Sequence, residues 1–112
     1  MNHTQLEKSK VHDTVEMIEY IPHSVVSQTI VKKSTGNVSI LSFDTGEGLP
    51  EKISPFDTFT QIIDGNAEIL IEDESFFLET GQCIIIPAHK THFIKPGNRF
   101  KMLVTIIKSG YE

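Results

Sequence analysis

Tryptophan is absent from this chain of 112 residues, and cysteine occurs once, at Cys83. A lone cysteine excludes an intramolecular disulfide, so the fold must rest on its apolar core, and a reducing compartment such as the cytoplasm is expected. Cys83 opens an apolar run with no cation beside it in sequence, which suits a buried, inert thiol. Basic residues are the scarcer charge, 10 Lys and Arg against 15 Asp and Glu, for a formal net charge of −5. They do not cluster beyond the pair Lys32-Lys33, so the electrostatic footprint of a nucleic-acid binder is missing. No apolar stretch approaches the ~20 residues that span a bilayer, and no membrane partner is expected. The polar start MNHTQLEKSK lacks the apolar segment of a secretory signal.

Helical periodicity is missing as well. VEMIEYIP, ended by Pro22, could be a short edge strand or one helical turn. From Val25 onward the chain breaks into eight to ten short β-branched runs separated by turn residues. VVSQTIVKK and NVSILSFD flank Ser34-Thr35-Gly36-Asn37 and suggest a hairpin with a Gly-Asn turn. In the second of these, Val38, Ile40 and Ser42 share one face, and Ser39, Leu41 and Phe43 the other. TGEGLPEKISPFD, with two glycines and two prolines, is loop or interrupted edge strand. Asp64-Gly65 is a strong hairpin signal, and Asp73-Glu74 suggests the next turn. In the closing run Phe100, Met102, Val104 and Ile106 share a face, with Leu103 and Ile107 opposite, which implies burial on both sides. One domain over 1–112 follows, with 1–12 frayed and the patterned part at about 25–108.

GQCIIIPAHKTH (Gly81 to His92) is the most specific piece. A turn glycine, a short apolar strand closed by Pro87, a loop and a returning histidine make up its order. It resembles the second motif of the cupin superfamily, and with DGNAEILIEDESFFLE before it and RFKMLVTIIK after it the chain over about residues 25 to 108 resembles small single-domain bacterial cupins. The resemblance implies an all-β fold, a double-stranded β-helix or jelly-roll barrel. It also implies where a metal would sit, since cupins usually hold one through three histidines and a glutamate. His92 falls at the last histidine position. Anchored on Gly65, the other three positions are Lys52, Ser54 and Thr58. A lysine ammonium has no lone pair, and hydroxyls are poor ligands for transition metals, so the family's metal-binding motif is degenerate here. Related small cupins often keep a histidine where Lys52 stands, followed by a Pro-Phe-Asp like Pro55-Phe56-Asp57. The second motif departs too, with His89 in place of a glycine and Pro96 in place of an asparagine.

Alternatives stand beside each candidate. His92 is either a barrel-lining histidine bonded to a neighbour or a group that meets a ligand. Lys52 either points outward, snorkelling at the rim, or pairs with an acid or an anionic ligand. If the cupin register holds, Thr58 and Thr60 share the inward face with Ile62, as a polar patch or as ordinary β-formers. A divalent metal held atypically would draw on His92, His89, Asp57 or Glu51. Glu68, Glu72, Asp73, Glu74 and Glu79 span turns and form a solvated acidic face. His12 and His23 lie in poorly patterned segments.

Three functions fit. The first is a barrel that binds a small, carboxylate-bearing molecule without the usual metal, through Lys52, Ser54, Thr58, Thr60 and His92. The second is a metal-dependent oxygenase or isomerase with an atypical ligand set. The third is a structural or regulatory homodimer, expected from the two-faced closing strand and the small size. No reaction follows from the sequence, because a fold does not specify chemistry.

Overall fold

The computed structural model describes residues 6–108. Nine strands form there: β1 (Val25–Lys33), β2 (Gly36–Phe43), β3 (Leu49–Ile53), β4 (Thr58–Asp64), β5 (Asn66–Ile71), β6 (Glu74–Glu79), β7 (Cys83–Ile86), β8 (Thr91–Ile94) and β9 (Phe100–Ile107). They build two antiparallel sheets, ordered β1-β2-β9-β4-β7 and β3-β8-β5-β6. This is the jelly roll that the resemblance to cupins implied. VEMIEYIP takes the helical option in part: a single 3₁₀ turn at Thr14–Glu16, capped by the Asp13 carboxylate on the Val15 N–H.

Three turns differ from their sequence expectations. The β5–β6 turn falls at Glu72-Asp73 and not Asp73-Glu74, because Glu74 already pairs with Ile71. β1 and β2 do form a hairpin, but Ser34-Thr35 makes the turn, because Lys33 already pairs with Gly36. Gly36 is a strand residue whose missing Cβ lets the Ile106 carbonyl of β9 pass close by. Asp64-Gly65 is not a hairpin, since β4 and β5 belong to different sheets. Gly65 is the corner where the chain crosses between them, at φ +82°, with the Arg99 carbonyl only 2.6 Å from where a Cβ would stand. The same residue type serves a corner and a hairpin, so the dipeptide alone does not separate them.

The interior is layered by register. Inward residues stack as Phe43 opposite Phe100, then Leu41-Met102-Ile62, then Ser39-Val104-Thr60, then Asn37-Ile106-Thr58. The first two layers are large and apolar and, with Ala67, Ile69, Leu78 and Ile94, fill one end of the barrel. Phe43 and Phe100 stack there with ring centroids 4.3 Å apart. In the last two layers serine, asparagine and threonine replace large side chains, so that end stays hollow. A polar, shorter side chain in an inward position removes both volume and apolar contact.

The outer face of the five-stranded sheet carries a second core. Ile18, Ile30 and Ile40 are buried there, and Leu6, Met17, Val26, Val38, Ile63 and Leu103 pack against them. The two-faced closing strand is therefore satisfied inside the chain over part of its length: Leu103 meets the N-terminal segment. Leu6 donates its N–H to the Ile30 carbonyl at 2.9 Å, so the frayed start expected from composition does not reach Leu6; residues 1–5 lie outside the described residues. Polar contacts hold the segment down. The Tyr20 hydroxyl donates to Asp64 at 2.7 Å, the buried Ser42 hydroxyl to the Glu19 carbonyl at 2.9 Å, and the Lys101 ammonium to the Val15 carbonyl at 2.6 Å. Arg99 and Lys101 both sit over the Tyr20 ring, at 4.7 and 4.9 Å from its centroid. Burial, then the Asp64 carboxylate, holds the Tyr20 phenol well above its usual range.

Cys83 is exposed, against the buried thiol expected for it. β7 is the last strand of its sheet, so only Ile84 and Ile86 turn inward, while Ile85 is 60% exposed. A run of four apolar residues looks the same in a strand covered on both faces and in an edge strand covered on one.

Candidate ligand site

The hollow end of the barrel is a cavity of about 390 Å³, within the range of small-molecule sites. Lys52, Ser54, Thr58, Thr60 and His92 all line it. Its apolar wall comes from Leu41, Ile86, Met102, Val104 and Ile106, and Ser27, Asn37 and Ser39 add polar atoms from the opposite end of the sheet. These last three were not singled out from the sequence. The alternation of β2 does place Ser39 with Leu41 and Phe43, but only the register against β9 turns that face inward.

His92 lies on β8, which pairs with β3 on one side and β5 on the other; its register partners are Lys52 and Ile71. The ring is 6% exposed. Its hydrogen bond with the Lys90 backbone favours the protonated ring. Nδ1 is buried, with no hydrogen-bond partner among the described residues. Burial, with a smaller contribution from the Lys52 charge, pushes the imidazole below its usual pKa, against the opposing pull of the Lys90 backbone. The neutral ring is thus the form at pH 7.

Lys52 sits exposed at the cavity mouth, on an edge strand whose pairing with β8 is irregular between Leu49 and Lys52. It makes no ion pair with a described residue. The rim position reconciles the two alternatives for it, since the stem lines the cavity while the ammonium stays hydrated. Thr58 and Thr60 are buried, at 8% and 2% exposure, and neither hydroxyl bonds another described residue. Ser54 is occupied locally. Its hydroxyl accepts the Phe56 N–H at 3.1 Å and donates to the Phe56 carbonyl at 3.3 Å.

The atypical metal set does not assemble. His89 is exposed, at φ 67°, and its N–H is held by the Ser54 carbonyl at 2.7 Å. The Asp57 carboxylate accepts the Ala88 N–H at 2.8 Å. Glu51 is exposed and, like His89 and Asp57, does not line the cavity. Period-two alternation puts Glu51 on the face opposite Lys52. Among the described residues no three of His, Cys, Asp and Glu gather where a metal could be held. His92 as a lone imidazole beside an ammonium and hydroxyls does not fit a divalent transition metal.

No protein-family model matches the chain, and no curated protein matches its sequence. Solved structures do. A conserved protein of unknown function from Streptococcus pyogenes is 28% identical over 99% of this chain and 98% of that one, with a TM-score of 0.88. A cupin superfamily protein from Desulfitobacterium hafniense is 27% identical over 96% and 97%, with a TM-score of 0.84. A cupin 2 conserved barrel domain protein from Leptotrichia buccalis is 28% identical over 84% of this chain and 46% of that one, with a TM-score of 0.81. No helix among the described residues is long and apolar enough to cross a membrane.

Proposed function

We propose that this chain, a member of the cupin superfamily similar to small bacterial cupins, is a small-molecule-binding barrel that holds its ligand with protein groups instead of the family's metal. The observation that carries this is a cavity whose mostly apolar wall brings the buried Thr58 and Thr60, whose hydroxyls bond no other described residue, together with His92 and Lys52. In this reading His92 and the free hydroxyls of Thr58 and Thr60 orient the ligand, Lys52 supplies charge at the mouth, and Ser54 shapes the rim. Differential scanning fluorimetry with a panel of small carboxylates, hydroxy acids, polyols and amides tests it. At least one probe should raise the melting temperature of the wild type and not of Ser39→Phe, whose ring fills the cavity. Equal shifts in both proteins, or no shift at millimolar probe, would overturn the proposal. Metal analysis of the purified protein should find far less than one ion per chain. Stoichiometric iron, zinc or nickel that His92→Ala abolishes would overturn the metal-free part.

A separate observation favours self-association, and we propose a homodimer joined through β7. Of the four edge strands, β1 ends in Lys32 and Lys33, β3 carries Pro50, Glu51 and Lys52, and β6 carries Glu74 and Glu79. β7, Cys-Ile-Ile-Ile, has no charge or proline to guard its open backbone. It also ends an outward cross-strand row, Val38-Thr105-Phe59-Ile85. Two such edges can pair antiparallel about a two-fold axis. Light scattering should give twice the 12.6 kDa chain mass for the wild type and one chain for Ile85→Lys; a wild-type monomer at tens of micromolar would refute it.

A further inference from the structure

The hollow end of the barrel is graded in polarity, and, granted that the cavity is a ligand site at all, the gradient narrows what it takes. β9 is the central strand of its sheet, between β2 and β4. Along its inward face Phe100 and Met102 are each 1% exposed, whereas Val104 and Ile106, next on the same face, are only partly buried. Leu41 on β2 and Leu49 on β3 also line the cavity and are only partly buried. Aliphatic side chains that face inward and stay wet forgo the stabilisation that burial gives, and an apolar occupant restores it.

Polar groups lie toward the mouth. Asn37 and Thr58 flank Ile106 in the outermost layer, Ser39 and Thr60 flank Val104 in the next, and Leu41 and Ile62 flank Met102 beneath them. Lys52, exposed at the rim, is the only charged residue among the described residues that line the cavity, and it makes no ion pair with any of them. Charge at the mouth, hydroxyl and amide groups below it and hydrocarbon at the floor match an amphiphile held head outward. One cation balances one negative charge. A phosphate monoester, at about −1.5 to −2, brings more than Lys52 neutralises, to a chain whose net charge is already −5. A carboxylate brings one. Two steps of strand alternation, Ile106 to Met102, set the depth at about 13 Å, room for an extended chain of about six to eight carbons.

We infer that the barrel takes an aliphatic monocarboxylate of about six to eight carbons, its carboxylate at Lys52 and its chain running past Ile106 and Val104 to Leu41 and Met102. Isothermal titration calorimetry at pH 7.5 tests length and charge separately. Butanoate, hexanoate, octanoate and dodecanoate form the length series; 1-octanol and octylamine match octanoate in length without its charge. From butanoate to octanoate affinity should rise about fourfold per methylene, the gain for burying a CH₂, and then level off at dodecanoate. Octanoate should bind about twofold to fivefold more tightly than 1-octanol, the worth of a solvent-exposed charge pair, and octylamine most weakly. Lys52→Glu, a substitution at an exposed position, should reverse the order and place octylamine above octanoate; an unchanged order there overturns the inference. If octanoate and octylamine bind the wild type equally and Ser39→Phe blocks both, the ligand class is wrong and the ligand site stands. If affinity keeps climbing to dodecanoate and Ser39→Phe leaves it unchanged, the chains adsorb outside the barrel and the class is wrong. If none of these probes binds while polyols or amides from the wider panel do, the class is likewise wrong. If nothing in either set binds, the ligand site falls with it.

Discussion

His92→Leu should stabilise this protein. The wild type buries Nδ1 with no partner, an arrangement that costs about 1–3 kcal/mol. Leucine fills nearly the same volume, removes the unpaired atom and adds apolar contact with Ile94 and Met102, which line the same cavity. The loss is the bond to the Lys90 backbone, about 0.5–1.5 kcal/mol, and the exposed loop there lets water take its place. The net is a gain of about 1 kcal/mol, or roughly 4–6 °C in a domain of this size. Equilibrium urea unfolding at pH 7.5 measures it directly. The advantage should also widen with acidity. Above pH ~6.5 the ring is neutral in both folded and unfolded chains. As pH falls from there through the depressed folded pKa, the unfolded wild type takes up a proton that the folded form resists, so wild-type stability declines. His92→Leu has no such proton to take up. The Asp44 and Glu68 carboxyls, held low by the His23 and Thr45 N–H groups and by the Ser75 hydroxyl respectively, contribute their own losses at more acid pH. A variant less stable than wild type by more than 1 kcal/mol, or a difference that stays flat between pH 7.5 and 5, would refute the reasoning and show that Nδ1 is paired in solution. The expected gain is itself a sign of function, since a group kept at a stability cost is kept for what it contacts.

Three further outcomes follow from the same structure. Gly65→Ala should cost about 3 kcal/mol in urea unfolding, from left-handed backbone strain together with the clash on the Arg99 carbonyl; a cost below 1 kcal/mol would mean the sheet-to-sheet corner relaxes freely. Tyr20→Phe keeps the ring under Arg99 and Lys101 but loses the bond to Asp64. It should cost about 1–2 kcal/mol and speed hydrogen exchange at the Leu6 amide, while unchanged exchange would show that the tyrosine does not hold the segment. Thr60→Val removes a hydroxyl with no partner among the described residues and nearly conserves volume. Stability should change by less than about 0.5 kcal/mol, while the melting-temperature shift given by a binding probe of the panel shrinks; a large loss of stability would reveal a structural hydroxyl.

The strand and its turn were legible in GQCIIIP because turn glycine, strand and proline are local requirements, each met within a few residues, and the barrel followed from the resemblance of that motif and its histidine to cupins. That Thr58, Thr60 and Ile62 share a face was legible from alternation, and the cupin register implied that this face points inward. The Asp64-Gly65 corner was not, since a glycine at positive φ looks alike whether the next strand pairs with the last or leaves for the other sheet. Nor was the exposure of Cys83, which depends on β7 ending its sheet. Ser27, Asn37 and Ser39 escaped notice because serine and asparagine in a strand are unremarkable until a register turns them inward.

Residue types and short-range spacing were enough to specify short strands with regular turns, and the cupin resemblance they carry implied the jelly roll, the place of the returning histidine, and non-ligand side chains at Lys52, Ser54 and Thr58, where that family usually holds a metal. Those are properties of identity and period, which a chain carries with it. Long-range pairing decided the rest. It set Lys52 across from His92, left Nδ1 without a partner, hollowed one end of the barrel while packing the other, and laid the N-terminal segment over Leu103. Contacts between residues tens of positions apart have no local signature, so the site's chemistry emerges only once the sheets have closed.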